Sequence, residues 1–570
     1  MDHTWIIGDA APNDFHQAHL NLPPLVRQVL WRRGVQSAAE LEQFLQPAYD
    51  QLGDPFQFQQ MDTAVETIIH AIADQRQITI YGDYDADGVT STALMVETLE
   101  ALGAKVNWYL PERLAEGYGL RTETVAQLAD QGTQLLVTVD CGTTNVAEIS
   151  LARQRGLDVI VIDHHHQPAE LPPATAIINP VFEDERYPAR TLSSAGVAFT
   201  VARGLLARTQ YGRTLNHELP VGWEKWLLDL VAISTVADMM PLRGENRILV
   251  RYGLQVLRKS RRPGLRALFA VMGTQIEQAD EFTVGFQIGP RINAAGRLHH
   301  ASLALHLLLT KQPDEARDLA NQLQAINLDR QKLTELAVAE ALEQIQAAGE
   351  QSAYVAFASH WSPGILGLVA GRLAERVWRP VLVMTENDGQ IVGSGRSIPG
   401  YDIMQAMDAG REHFLRFGGH PGACGFTLAK AEGRSDFHQW FQEFISRDLK
   451  EVKMEKPLHV DGRARLADFS DEALDVLAEL GPYGIENTRP TFLIEQADVQ
   501  SIALAGAQRQ HLRLGIQQDG VTVRCIGFRQ GARGAELVPG QHLDVVVEAS
   551  WNVWRERKEP QFKIIDLRRS

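Results

Sequence analysis

The chain has 570 residues, 45% of them apolar, a length that suggests three or four domains rather than one. A net charge of −16 argues against broad adhesion to nucleic acid, yet a local basic groove on an acidic enzyme is compatible with it. The three cysteines, Cys141, Cys424 and Cys525, are too few and too widely spaced for a disulfide framework or a CxxC zinc site.

Residues 1–55 read as a helical segment with proline turns at Leu22-Pro23-Pro24 and Gln46-Pro47. The opening Met1-Asp2-His3-Thr4-Trp5 lacks a basic region followed by a long apolar one, and no stretch reaches about 18 uncharged apolar residues. A cytoplasmic protein without a membrane span is expected. From Gln77 the period changes. Strands are expected at 78–81, 106–109, 135–139 and 159–162, with helices at 91–102, 122–131 and 146–155 between them. Short, almost continuous apolar strands alternating with helices imply a buried parallel sheet.

An apolar helix over 226–240 is expected to carry Asp238, and the run Arg258-Lys259-Ser260-Arg261-Arg262 reads as a solvated helix end rather than a DNA contact. Residues 313–349, rich in Ala, Leu, Gln and Glu, predict one long helix. A second α/β unit follows from Tyr354, with strands at 381–384 and 390–395 and a loop at Phe417-Gly418-Gly419-His420-Pro421-Gly422. Past the charged stretch Lys450-Glu451-Val452-Lys453-Met454-Glu455-Lys456, alternating runs such as 511–516 and 543–548 fit a small β-barrel. Its aromatics Trp551, Trp554 and Phe562 suit either a strand-binding surface or a core.

Four segments carry the chemistry: Gly82-Asp83-Tyr84-Asp85-Ala86-Asp87-Gly88, Val139-Asp140-Cys141-Gly142, Ile162-Asp163-His164-His165-His166 and Val236-Ala237-Asp238-Met239-Met240-Pro241. Asp83, Asp140 and Asp163 fall at strand ends, where ligands of parallel sheets gather. A lone acidic turn is ordinarily a solvated loop or a helix cap; four at one edge supply more donors than one ion needs. The first segment opens like a calcium loop, but its twelfth position is Leu94 rather than Glu. Carboxylates mixed with imidazoles and no thiolates suit manganese, with magnesium as competitor, in a dinuclear site that hydrolyses phosphate esters.

These segments, in this order, resemble the DHH phosphoesterase superfamily. Gly393-Ser394-Gly395-Arg396-Ser397 and Gly418-Gly419-His420 are similar to the domain that accompanies it, and Gly289-Pro290-Arg291-Ile292-Asn293-Ala294-Ala295-Gly296-Arg297 resembles the branch of single-strand-specific 5′→3′ exonucleases. The resemblance implies an α/β fold: an N-terminal helical segment (1–55), a parallel-sheet DHH domain (56–305), a connecting helix (306–350), a second α/β domain (351–455) and an OB-like barrel (456–570). It implies two divalent cations held by Asp85, Asp87, Asp140, Asp238 and His164, with Asp83 and His165 beside or among the ligands, and gives His166 no role beyond a structural one. Arg113, as anchor of a 5′-terminal phosphate, is joined by Arg291 and Arg297, with Tyr118 stacking on a base, Asn293 also touching the substrate, and Ser394, Arg396 and His420 gripping phosphates past the scissile bond. Single-stranded DNA, a single-strand-binding protein and a RecQ-type helicase are the implied partners. One departure is that Gly481-Pro482-Tyr483-Gly484-Ile485-Glu486-Asn487 lacks the second glycine usual in that turn. A small-substrate phosphoesterase of the same superfamily and a catalytically inactive DNA-binding scaffold are the rival readings.

Overall fold

Five parallel strands form the first sheet, in the order Lys105–Tyr109, Gln77–Gly82, Leu135–Val139, Asp158–Ile162 and Ala176–Ile178. These come from a computed structural model that describes residues 3–430, 433–449, 455–554 and 557–570. The fifth strand, three residues long, is too short to show a pattern in sequence and was not expected. The inner strands are apolar throughout because both faces are covered. Ile78, Ile80, Leu135, Val137, Ile160 and Ile162 pack under the helices Ala86–Ala101, Ser194–Arg208 and Leu228–Ala237. Tyr81, Leu136, Val159 and Val161 meet Thr122–Asp130 and Val146–Gln154 on the other face.

Register aligns the ends. Gly82 pairs with Val139, and Val139 with Ile162. Asp83, Asp140 and Asp163 therefore leave three neighbouring strands at the same level, each about 4.8 Å from the next strand.

Two helix boundaries differ from expectation, and both move a functional acid. The first helix begins at Ala86 rather than at 91, with Asp85 as its N-cap and Asp87 in its first turn. The apolar helix spans Leu228–Ala237, so Asp238 is its C-cap and not part of it, and Met239 follows with φ at 58°.

The 36-residue helix Pro313–Ala348 leads to a mixed sheet ordered Phe414–His420, Ala423–Leu428, Gln390–Arg396, Val381–Asn387 and Tyr354–Phe357. Residues 417–420, expected as a loop, form the end of a hairpin strand. The barrel closes through Thr491–Ala505, His511–Gln518, Val521–Gly527, Arg557–Arg569 and His542–Trp554, the last pairing back onto the first. In the turn before it, Glu486 adopts φ 58° where a glycine would be unstrained, and buried Asn487 donates to the Leu480 and Pro482 carbonyls.

The first 55 residues are not wholly helical. Helices Asn13–Ala18, Pro24–Arg32 and Ala38–Leu45 are present, but Thr4–Ile7, a β-prone Thr-Trp-Ile-Ile, is a strand parallel to Pro457–Val460. Residues 450–454 of the charged stretch and the side chain of Trp554 lie outside the described residues. No helix among the described residues is long and apolar enough to cross a membrane.

Candidate active site

The acids at the strand ends are held by a buried polar web. Asp85 Oδ1 accepts from the Asp87 and Gly88 N–H groups at 2.9 and 3.1 Å, fixing the start of the helix. Gly88 allows the approach, since a Cβ there would lie 2.4 Å from the Asp83 carbonyl oxygen. Asp87 accepts from the Ser194 and Ala195 N–H groups, at the start of Ser194–Arg208, and from Ser234 Oγ. Asp140 sits at φ 64°, and its Oδ1 accepts from Ser194 Oγ at 2.9 Å.

His164 stands at the centre. Its Nε2 is 3.3 Å from Asp140 Oδ1 and 3.7 Å from both Asp87 Oδ2 and Asp238 Oδ2. Ligand atoms lie within 4.8 Å of one another in each of three sets: Asp83, Asp85 and Asp140; Asp87, His164 and Asp238; Asp140, His164 and His165. All seven residues expected to hold metal are thus gathered at one place.

Asp163 does something else. Its Oδ1 accepts from the His164 N–H and lies 2.7 Å from His165 Nδ1, while Oδ2 accepts from the Thr143 N–H. A carboxylate behind one imidazole nitrogen fixes the ring and leaves Nε2 as the ligand atom. Tyr118 Oη supports the same ring, 3.0 Å from His165 Nδ1 and donating to the Asp140 carbonyl, with its ring half exposed.

Charge is crowded here. Burial first, then the neighbouring carboxylates, pushes Asp83 and Asp140 well above the usual carboxylate range and Asp238 up to about 9. Asp238 also ends a helix, where the dipole disfavours negative charge. Asp87 is raised by burial despite His164. Burial opposes a charge on His165, but the hydrogen bond and field of Asp163 prevail and raise it to about 9. Asp83 Oδ1, fully buried, has no hydrogen-bond partner. An orphaned carboxylate oxygen among acids that resist ionising is what a divalent cation satisfies, and these oxygen and nitrogen donors fit one.

Facing the acids is a group of arginines. Arg113 lies over the Tyr84 ring at 4.7 Å and lines a cleft of about 350 Å³ with Ser394, Arg416 and Phe417 of the second domain. Arg297 is pushed down to about 9 by burial and then by Arg113 and Arg330, and Arg396 is lowered by burial and by Arg113. None of the three has an ion pair with a carboxylate among the described residues. Ser394 Oγ donates to the Cys424 carbonyl. The His420 ring is 5.9 Å from that of His166, which is exposed rather than structural, so the second domain meets the histidine segment directly.

Not every expected residue joins them. Arg291 is held by Gln324 Oε1 and the Gln287 carbonyl. Asn293 Oδ1 accepts from the Ala86 N–H at 2.8 Å and so props the acidic loop. The run 258–262 is the expected solvated helix end over Arg258 and Lys259, which close the helix Gly244–Arg258 and are exposed, and at exposed Arg261, which lies over Trp226, but Arg262 turns inward against Asp229 and Glu97. In the barrel Phe562 is core, while Trp551 donates to Asp475. Ser194, Ser234 and Tyr84 are positioning residues that sequence reading missed; only Tyr84 had a signal, its place between two of the acids.

Family models of the DHH family N-terminal domain, the DHHA1 domain and the RecJ OB domain match residues 77–235, 350–447 and 460–566. The single-stranded-DNA-specific exonuclease RecJ of Bacillus subtilis (strain 168) is 38% identical over 550 residues, 96% of this chain and 68% of that protein. RecJ of Dickeya dadantii (strain 3937) is 38% identical over 488 residues, 83% of each. Crystal structures of RecJ from Thermus thermophilus superpose with TM-scores of 0.85 for the Mn²⁺ complex and 0.79 for the Mg²⁺ complex, at 30% and 28% identity. Each covers 99% of this chain, which spans 79% and 78% of the respective Thermus chains. With three family domains in order along the chain and relatives 38% identical over most of its length, the protein belongs to the RecJ family of metal-dependent, single-stranded-DNA-specific exonucleases.

Proposed function

We propose that the protein degrades single-stranded DNA from the 5′ end, releasing 5′-mononucleotides, with two divalent cations, manganese preferred and magnesium accepted. The observation that carries this reading is the juxtaposition of acids that want a cation with arginines that want an anion, Arg113 close enough to act on Asp83 and Arg297 close enough to feel Asp85. Asp85, Asp87, Asp140, Asp238 and His164 hold the ions, completed by His165 and by the orphaned Asp83 oxygen. When bound, such ions lower the pKa of an attacking water and neutralise the leaving oxygen.

The chain's own residues supply position. Arg113 and Arg297 hold the 5′-terminal phosphate beside the metal cluster, so the bond presented for hydrolysis is the first one inward. Ser394, Arg396 and His420 hold the phosphates beyond it, and the exposed face of the Tyr118 ring takes a base. Asn293 and Arg291 act by holding the loop and helix that carry these groups. The passage between the two α/β domains admits a single strand and excludes duplex, and the barrel holds the incoming strand. Five segments, 1–55, 56–305, 306–350, 351–455 and 456–570, divide this work. Action in the cytoplasm in DNA repair and recombination, beside a single-strand-binding protein and a RecQ-type helicase, follows from the family.

The test offers the protein, with Mn²⁺, single strands labelled at either end, duplex, pyrophosphate and a cyclic dinucleotide, beside Asp140→Ala. Mononucleotides from the 5′ end of the single strand alone, abolished in the variant, are expected. Release from the 3′ end, or turnover of pyrophosphate only, overturns the reading, and binding without turnover makes the protein a scaffold.

A further inference from the structure

Phe282 and Phe286 are stacked on each other, centroids 4.8 Å apart at 26°, yet stand 53% and 70% exposed to solvent. Large aromatics left in water on a well-packed domain call for an explanation. Phe286 lies within a π-helical turn, Val284–Ile288, and Phe282 just before it; this widened helix form concentrates at functional sites. On the side that packs inward the segment is glycine. A Cβ at Gly285 would lie 3.4 Å from Val236, and one at Gly289 3.1 Å from the Ala237 Cβ. Those two residues lead straight into Asp238, and the next, Met239, is 66% exposed.

The pair therefore lies between two parts of the molecule. Phe286 sits one residue after Gly285 and three before Gly289, the two glycines that pack on the chain leading to Asp238. One residue before Phe282, Glu281 is bound by Arg489 at 2.8 Å, and it lines a groove of about 450 Å³ with Tyr483, Arg489 and Trp551 at the foot of the barrel. Two phenyl rings make a patch far below the roughly 1,000 Å² that a stable protein partner needs. They match one or two nucleobases, for which any ring face is a sequence-tolerant platform.

We propose that Phe282 and Phe286 form a base-stacking platform that takes a nucleobase of the DNA strand between the metal cluster and the barrel. The inference rests on single-stranded DNA being the substrate. The platform keeps the strand in line with the metals while the phosphates are held elsewhere, so its removal weakens the grip on the strand and leaves the acids untouched.

The experiment compares wild type with Phe282→Leu/Phe286→Leu, which keeps apolar bulk, and with Phe286→Trp, which keeps the ring. The substrate is a 5′-phosphorylated oligothymidylate, intact or carrying one abasic site stepped along it, with Mn²⁺ saturating. The leucine pair is expected to lower kcat/KM by about 5- to 100-fold, mostly through KM, the range that stacking one base brings, while Phe286→Trp stays near wild type. An abasic site at one or two positions should cost the wild type and cost the leucine pair nothing more. Wild-type kinetics in the leucine pair, or an abasic profile that the pair leaves unchanged, overturns the platform. So does loss of a dimer by light scattering, which would make the patch a contact between copies. Failure of the wild type to degrade any single strand sinks the exonuclease reading instead, so the two failures are distinct.

Discussion

Asp163 leaves its strand in step with Asp83 and Asp140, and in sequence the three are equivalent. Their roles diverge because Asp163 meets backbone N–H groups and His165 Nδ1, which hold it far below the usual carboxylate range despite burial, while Asp83 Oδ1 meets no donor. Asp163→Asn should fold, but lose the charge that fixes His165. Mn²⁺ affinity is expected to drop by about 10- to 100-fold, read from the metal dependence of activity; a titration curve that overlays the wild type would remove the orienting role. The other acids set a pH dependence. Asp83, Asp87, Asp140 and Asp238, raised by burial, keep protons that the unfolded chain releases near pH 4. The folded metal-free protein then binds more protons than the unfolded one, so its stability falls as pH rises through that interval, with Asp238 and His165, both near 9, setting the upper end. Calorimetry in EDTA should show Tm declining from about pH 5 to about pH 9. Saturating Mn²⁺, which binds the ionised carboxylates, should stabilise progressively more over the same interval. An increment independent of pH would contradict this account.

At the scale of elements, the helix Gly289–Leu298 is clamped on both sides by backbone. A Cβ at Gly296 would lie 2.5 Å from the Tyr84 carbonyl oxygen, between Asp83 and Asp85, and one at Gly364 of the second domain would lie 2.0 Å from the Arg297 carbonyl oxygen. Neither obstacle is a side chain that can swing away. Gly296→Ala must therefore push the helix and the acidic loop apart. We expect kcat to fall by about 100-fold, the effect of misplacing reacting groups by roughly 1 Å, at a stability cost of about 1–3 kcal/mol. Activity and thermal melts measure the two, and a fall in stability without a fall in kcat would refute the argument. The sequence showed these glycines as a motif but not what they touch. The same limit explains other differences. Alternating strands and helices were legible because their periods are local, and so was the delivery of acids to one edge. The early helix start at Ala86 was hidden because Asp85 and Asp87, read as ligands, also cap and begin the helix. Within the run 258–262, Arg262 alone turns inward, and that was hidden because its counter-charges, Glu97 and Asp229, lie far away in sequence.

Across the whole molecule the two ends of the chain build one unit. Thr4–Ile7 pairs with Pro457–Val460, and Gln28 Nε2 donates to the Asp9 and Asp461 carbonyls. Arg33 binds Asp461, Asn487 and the Thr488 carbonyl. Phe15, Leu25, Val26, Val29 and Leu30 share a single core with barrel residues Phe492, Ile494, Leu514, Val545 and Ile564. The contacts to the barrel side, more than 400 residues apart in sequence, carry no local pattern, which is why the opening segment reads as a separate helical preamble. The barrel is thus a domain whose core is completed by the far end of the chain. Removing residues 1–55 should expose that core and unfold the barrel, while the first α/β domain, whose core draws only Leu52 and the partly buried Tyr49 from that segment, keeps its fold. Limited proteolysis of the truncated protein should cut first within 456–570, and affinity for long single strands should fall more than the cleavage of short ones, which need only the cleft. Equal protection of the barrel in the truncated and full chains would show that it stands alone. Because the strand Pro457–Val460 leads into the barrel, its pairing with Thr4–Ile7 ties the barrel to the opening segment. Substituting Ile7→Asp, in that strand, should weaken retention of long strands in the same direction as the truncation, with the metal site and short-substrate turnover unchanged.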